Sequence, residues 1–380
     1  MSKPLVIAVD VRDLRLAKTG TRTYLEEISK AFKKMNSDDL RFHFLDTFLP
    51  VYTGDNKLLK WIEHIRYQLW KQLLLPIYAW CKGCDIVFCT DNFVPLIHLG
   101  YQTIPVFHDA FFFETPEDYG RLWLWLYKKT AIPAARRSPF VITPTAYAKQ
   151  QINHFTQISN HKLIVVPEGP KTLNDQLTPE KETELLASLL IIPANYILHV
   201  GSMFKRKNIP ALIEAFGKIK GQEYPDLKLV LVGPRPAGKT DSDYGPILDS
   251  IAKANLFGEV IITGYLSDQA LGSLYKNALM YVFPSVNEGF GIPVLEAFRY
   301  NLPVIVANNT CLVEVGGEAV LSFDPFRADD LLEKIILLLK DGELRKVMIS
   351  KGRRRLLNFS WEKTAAELVH TFRMVKENKI

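Results

Sequence analysis

Two stretches of this 380-residue chain bring together residue types at spacings that could do chemistry. One, LVLVGPRPAGKT, sets Gly233, Gly238, Lys239 and Thr240 behind an apolar run in the phosphate-gripping pattern G-x-x-x-x-G-K-[ST]. Such a loop needs its Lys and Thr to open a helix that aims backbone N–H groups at phosphate. Here Gly245-Pro246 interrupts the turn in which that helix should form, and Pro234 and Pro236 delete two amide donors. No second strand ending in Asp offers itself to hold magnesium beside Thr240. Asp241-x-Asp243 has a metal-binding spacing but lies in a polar loop well past its strand. The expectation is a solvated loop ahead of a helix near Ile247, with a P-loop nucleotidase as the rival of a different class.

The other stretch, YVFPSVNEGFGIPVLEAF, is stronger. A buried strand ends at Pro284, a turn carries Glu288-Gly289-Phe290-Gly291, and Pro293 suits a first helical turn, where its missing N–H costs nothing. Glycines there let a ligand approach backbone amides closely. Glu288 on the loop and Glu296 one turn into the helix are poor partners for phosphate and good ones for sugar hydroxyls. Either alone could equally be a solvated or helix-dipole glutamate. Upstream, FKRKN offers Arg206 and Lys207, a run that without context reads as a solvated loop, and VFHD places His108 at the end of a strand.

The elements that must position these residues alternate short β-rich runs with longer amphipathic ones, the mark of parallel sheets covered by helices. Strands are expected from Leu5, Arg41, Asp85, Ile104, Phe140 and Lys162, and again from Tyr196, Leu227, Glu259, Leu279, Leu302 and Ala319. The fold class is therefore α/β, with two doubly wound Rossmann-like domains over residues 1–170 and 171–360. A closing helix over 361–380, capped by Ser360, is expected to pack back on the first. Ligands of such sheets bind outside the carboxyl ends of the strands, so the chemistry belongs in strand-to-helix loops facing a cleft.

Composition excludes several classes. Forty-seven basic against forty-one acidic residues leave +6, too little and too scattered for nucleic acid, although residues 1–170 hold 21 basic and 16 acidic of them. No apolar run reaches the roughly eighteen residues of a membrane span, and the N-terminal run is too short for a signal peptide, so a cytoplasmic protein is expected. The four cysteines form no disulfide framework, and Cys81 and Cys84 in CKGC lack a second pair or a His to complete a zinc site.

At E-G-F-G-x-P-x-x-E-A the sequence resembles the retaining glycosyltransferases of the GT-B fold, family four, whose signature is E-x7-E. The resemblance runs through GTRTYLEEI, VFHDAFFFETPE, VITPTAYAKQQI, YILHVGSMFKRKN, VIITGYLSDQALGSLYKNA, LPVIVANNTCLVEVGGEAVLSFDP and FSWEKTA, in the family's order. It implies that Glu288 binds hydroxyls of a donor sugar, with the amides of Gly289, Phe290 and Gly291 holding sugar and diphosphate. By the same resemblance Glu296 takes the ribose, Lys207 with Arg206 neutralises the leaving diphosphate, and His108 lies beside the reacting sugar with Asp109 supporting its loop. Gly20 would belong to a first loop closing over phosphate and acceptor, with Arg22 nearby, and Gly264 and Tyr265 would meet the base. Ser202 stands where many relatives carry Arg, which shifts phosphate duty onto Arg206 and Lys207. The resemblance also implies that the domain over 1–170 is the acceptor side and that over 171–360 binds the nucleotide sugar, and it implies no metal and no cofactor.

The pattern looks most like bacterial mannosyltransferases of surface-polysaccharide assembly, which implies GDP-mannose as donor and a glycan or polyprenyl-linked acceptor. UDP-glucose or UDP-N-acetylglucosamine is the rival donor, and a catalytically silent sugar-binding relative a third alternative. Residues 58–80 mix Trp61, Trp70 and Trp80 with Lys60, Arg66 and Lys71, and a second such piece starts at Arg121. Two readings stand for them: basic amphipathic helices at an anionic membrane surface, or ordinary helices with Trp packed on the sheet.

Overall fold

The computed structural model describes residues 3–17, 20–54, 56–173, 177–220, 224–234 and 244–378. The chain divides into two compact units, Met1–Gly169 with Ser360–Ile380, and Pro170–Phe359.

In the first unit β1 (Leu5–Asp10), β2 (Leu40–Leu45), β3 (Ile86–Cys89) and β4 (Gln102–Pro105) form a parallel sheet ordered β2-β1-β3-β4. β5 (Val141–Thr143) pairs with β6 (Leu163–Val165), and a parallel bridge from Val106 to Ile142 carries the sheet on to them. Every residue of β1 and β3 is buried, as expected of strands covered on both faces. His108 lies three residues beyond β4, not on the strand itself. The chain returns through helix Trp361–Asn378, whose first turn is capped by Ser360 Oγ accepting from Lys363 N at 3.2 Å. Phe372 on that helix stands 5.3 Å from Phe88 of β3 and 6.2 Å from Phe32 of helix Gly20–Lys34, ring to ring.

Residues 57–81 form one long helical stretch, with a π-turn at Trp70–Leu74 between two α segments. The extra residue of a π-turn lets two successive side chains face inward. Trp70 and Lys71 are accordingly both buried. Cys81 and Cys84 bracket the turn from this helix into β3, and all four cysteines are free thiols.

In the second unit β7 (Tyr196–Val200), β8 (Lys228–Val232), β9 (Val260–Gly264), β10 (Met280–Phe283), β11 (Val304–Ala307) and β12 (Val320–Phe323) are all parallel, ordered β12-β11-β10-β7-β8-β9. The order reverses between β7 and β10, the crevice where doubly wound sheets bind ligands. Ile197, Leu229, Val282 and Ile305 of the sheet pack with Leu212 and Phe216 of helix Ile209–Lys220 in the core. Gly233, just past β8, would drive a Cβ to within 1.8 Å of the Gly201 carbonyl oxygen, so no larger residue fits beside β7 there. Helix Tyr244–Lys253 starts ahead of the expected Ile247, because Gly245 and Pro246 occupy its first turn, where proline's missing N–H is tolerated.

Candidate functional site

The loops after β7 and β10 meet at the reversal point of the second sheet. After β7 the chain turns through Lys205–Lys207, a single 3-10 turn closed by Asn208 at φ 53°, before helix Ile209–Lys220. After β10 it runs from Pro284 to Gly291 and into helix Ile292–Arg299, with Pro293 in the first turn. Gly291 sits at φ 98°, and a Cβ there would come within 2.5 Å of Leu312 Cδ2, so both backbone and space demand glycine.

The two loops are stapled together. Val286 N donates to the Arg206 carbonyl at 2.8 Å, and Ser285 Oγ lies 2.9 Å from that oxygen and 2.6 Å from Glu288 Oε1. Lys207 Nζ bonds directly to Glu288 Oε1 and rests 4.7 Å from the Phe283 ring centroid. Both members of this ion pair are buried, at 7% and 8% exposure. Burial works against the Glu288 charge, but Lys207, Arg206 and Ser285 overcome it and hold the carboxyl below its usual range. Burial also pulls Lys207 below the ordinary lysine value, against the lift from Glu288. His199, in β7, donates from Nδ1 to the Val282 carbonyl at 3.0 Å, while its buried Nε2 has no hydrogen-bond partner. Burial pushes its pKa down to about 4, so the ring beside Lys207 is neutral.

Glu296 is buried on the following helix and accepts from the Tyr275 hydroxyl at 2.8 Å. Burial pushes its carboxyl up to about 7, with Tyr275 and Lys171 pulling the other way. Cys311 Sγ lies 3.1 Å from the Glu288 carbonyl oxygen and 3.4 Å from that of Phe290, and the Phe290 ring packs edge-on against Phe359. The side chain of Phe290 thus anchors the loop from beneath. Gly264 ends β9 at φ 73°, its carbonyl accepting from Gly233 N at 3.0 Å, and Tyr265 beside it is 76% exposed.

Of the expected site residues, the second unit brings Arg206, Lys207, Glu288, Gly289, Phe290, Gly291 and Glu296 onto two adjoining loops and the helix that follows. Ser202 is buried just past β7. Gly20 opens helix Gly20–Lys34, at the junction with the loop that precedes it in sequence, and Arg22 on that helix pairs with Glu26. Gly238, Lys239, Thr240, Asp241 and Asp243 lie outside the described residues. Ser285, Tyr275 and His199 were not legible as site residues, since a lone hydroxyl or strand histidine leaves no spacing signal.

In the first unit His108 is largely buried. Its Nδ1 faces Glu168 Oε1 at 3.2 Å and its Nε2 faces the Thr90 carbonyl at 3.0 Å. Acceptors at both nitrogens favour the doubly protonated, cationic ring. Burial opposes that charge, yet Glu168, Asp109 and Thr90 lift the pKa above the ordinary histidine value. Asp109 also accepts from Phe111 N at 3.1 Å, the loop support expected of it. Tyr24 meets the His108 ring edge-on at 4.8 Å. Glu168 carried no sequence signal.

Asp10, Cys89 and Asp91 bring three potential metal donors within 4.8 Å of one another. The Lys71 ammonium lies 2.6 Å from Asp10 Oδ2 and bonds Asp91, and burial keeps Cys89 a thiol by raising its pKa. An internal cation already answers both carboxylates.

Along residues 57–81 the outward face is apolar. Leu58, Ile62, Ile65, Leu69, Leu73, Ile77 and Trp80 recur every three or four residues, and all are exposed. Trp61 is 55% and Trp80 63% exposed, whereas Trp70 is sealed in the core and donates Nε1–H to Asp10 at 3.0 Å. Trp70 is thus packed on the sheet, as one sequence reading expects, while Trp61 and Trp80 lie on the exposed face. No described helix is long and apolar enough to cross a membrane.

Residues 183–355 match the family described as glycosyl transferases group 1. The chain is 25% identical over 376 residues to O-antigen chain mannosyltransferase B of Escherichia coli, a match covering 98% of this chain and 93% of that relative. Among solved structures it resembles sucrose-phosphate synthase of Thermosynechococcus elongatus with a TM-score of 0.72 at 19% identity, over 98% of this chain and 100% of the other. It likewise resembles Anabaena Alr3699/HepE in complex with UDP-glucose, with a TM-score of 0.70 at 16% identity, over 97% and 100%.

Proposed function

We propose a specific reaction for a chain that belongs to the group 1 glycosyl transferases, has the GT-B fold and is a hexosyltransferase. It moves mannose from GDP-mannose, with retention of configuration, to a glycan or polyprenyl-linked acceptor in surface-polysaccharide assembly. The observation that carries this reading is the buried Lys207–Glu288 pair at the reversal point of the nucleotide-side sheet.

With donor bound, Lys207 and Arg206 take the diphosphate, and Glu288, freed from Lys207, accepts from hydroxyls of the sugar. As the bond from the sugar carbon to the diphosphate oxygen breaks, charge grows on that oxygen. A cation fixed in a desolvated site stabilises such charge with little reorganisation. Glu296 takes the ribose hydroxyls. In this reading the lysine and arginine serve where a metal otherwise would, and no cofactor takes part. Mannose is supported by the mannosyltransferase relative, and the UDP-sugar rival by HepE in its UDP-glucose complex.

We also place the protein in the cytoplasm, at the membrane face. From Lys57 to Lys82 the sequence has five basic residues and one acid, Glu63; Lys71 is buried and paired with Asp10 and Asp91, Arg66 pairs with the buried Glu63, and Lys60 and Lys82 flank the stripe exposed. An apolar stripe with basic flanks fits an anionic lipid surface.

Thermal unfolding against GDP, UDP, GDP-mannose and ATP, each with and without magnesium, tests the donor. A ligand at a hundred times its dissociation constant adds about 2.7 kcal/mol. Stabilisation by GDP without magnesium is expected. Stabilisation by UDP alone selects the rival donor, and stabilisation only by ATP with magnesium, lost in Lys239→Ala, overturns the reading in favour of a P-loop.

A further inference from the structure

β7 and β10, the strands at the reversal point of the second sheet, pair at Ile197 with Met280 and at Leu198 with Tyr281. One residue further along, a side chain makes the link: His199 donates Nδ1–H to the Val282 carbonyl at 3.0 Å. A carbonyl can only accept, so the ring hydrogen is on Nδ1. Burial, with the Lys207 charge nearby, keeps a second proton off the ring. Nε2 therefore carries a bare lone pair, and this buried atom has no hydrogen-bond partner. Open acceptors of that kind are rare in native interiors.

Nε2 and the Lys207 side chain border the same space. A Cβ on Gly201 would stand 3.3 Å from His199 Nε2 and 3.6 Å from Lys207 Cε, so it is the missing side chain of that glycine that leaves nothing between them. Both residues also rest on Phe283, the His199 ring 5.8 Å and Lys207 Nζ 4.7 Å from its centroid. Lys207 is for its part short of acceptors. Its ammonium carries three donors and is buried, yet among the described residues Nζ bonds only Glu288 Oε1. When sugar hydroxyls take Glu288, that acceptor is drawn away as well.

A neutral acceptor suits this position. A carboxylate would cancel the charge that the departing diphosphate needs, and an imidazolium would repel the ammonium. A bare imidazole nitrogen fixes one N–H of Lys207 and leaves its charge whole. We propose that His199 is a positioning residue: once the donor sugar takes Glu288, Nε2 accepts a hydrogen bond from the Lys207 ammonium and holds it against the diphosphate. The proposal rests on the transferase reading above and adds to it a residue from the strand itself, which touches no substrate.

Two substitutions separate the ring nitrogens. His199→Asn reaches as far as Nδ1, so it keeps the bond to Val282 and loses the acceptor. His199→Gln reaches as far as Nε2 and keeps the acceptor instead. Nucleotide release from GDP-mannose and from UDP-glucose, with water as the acceptor, is followed for each, beside the melting temperature. His199→Asn should lower kcat by about tenfold or more and change donor KM less, as loss of an interaction made in the transition state does. His199→Gln should restore most of that loss even where it melts lower. In a Lys207→Ala background His199→Asn should remove no further activity. Wild-type kcat in His199→Asn, or an equal further loss without Lys207, overturns the proposal and leaves the histidine a link between strands. Should neither variant fold, the nitrogen resonance of Nε2 in wild-type protein decides: saturating GDP should move it upfield, as accepting a hydrogen bond does, and an unmoved resonance overturns the proposal. Wild-type protein that releases nucleotide from neither donor would instead count against the transferase reading itself.

Discussion

At the Lys207–Glu288 pair, stability and function pull on the same atoms. Two charges taken out of water need excellent mutual geometry, and removing one partner strands the other, typically at about 3–5 kcal/mol. Lys207→Ala should therefore both destabilise the protein by that order and lower kcat by about a hundredfold or more, as loss of a fixed donor at developing charge does. Replacing both partners, Lys207→Met with Glu288→Leu, should recover most of the stability and none of the activity. Denaturant melts and turnover on the three proteins check this, and normal turnover in Lys207→Ala would remove the residue from the site. Glu296 makes a pH-dependent counterpart. Its carboxyl titrates near 7 when folded against 4.5 as a free side chain, so its proton favours the fold. That contribution is present in full at acid pH and is lost as pH rises from about 4.5 to 7, worth about 3 kcal/mol. Binding of ribose hydroxyls needs the ionised form, so GDP affinity should rise about tenfold from pH 6 to 8 and level off above. Glu296→Gln should flatten that profile, weaken GDP and raise the melting temperature at pH 8; an unchanged profile would exclude Glu296 as the titrating group. Glu288 and Glu296 were legible because a glycine-rich turn and a helix start frame them. Tyr275 and Ser285, which tune them, were not, because their roles depend on which chain segments the sheet brings alongside.

The strands follow the apolar runs closely because a parallel strand buried on both faces needs near-continuous hydrophobic residues. The π-turn at Trp70–Leu74 has no such signature, since one inserted residue is selected by distant partners: Asp10 for the Trp70 indole, and Asp10 and Asp91 for the Lys71 ammonium. By turning two neighbours inward it leaves the rest of the helix free to present an unbroken apolar stripe outward. Trp61→Ser with Trp80→Ser should thus cut partitioning onto vesicles containing phosphatidylglycerol by at least tenfold without lowering the melting temperature. Wild-type binding should weaken between 50 and 500 mM salt as the basic flanks are screened. Cosedimentation measures both, and absence of wild-type binding at low salt would remove the membrane reading.

At the scale of the molecule, each unit repeats one device: a parallel sheet whose strand order reverses, with polar side chains on the two loops at the reversal. In the second unit these are the loops after β7 and β10, with Lys207 and Glu288; in the first, those after β1 and β3, with Arg12 and Asn92. The alternation of runs predicted the two sheets, but a strand's neighbours depend on crossovers that leave no local trace, so neither reversal could be placed from sequence. If the reversal point of the second unit is the nucleotide site, GDP should protect its loops from hydrogen exchange and spare those of the first unit. GDP should slow exchange over 201–208 and 285–299 by an amount set by its occupancy and leave 11–17, 63–71 and 90–94 unchanged. Absence of protection over the first set would remove the nucleotide from that reversal point. Protection of both sets by GDP alone would mean that the nucleotide also engages the first unit, and the division of labour between the two sheets would have to be redrawn.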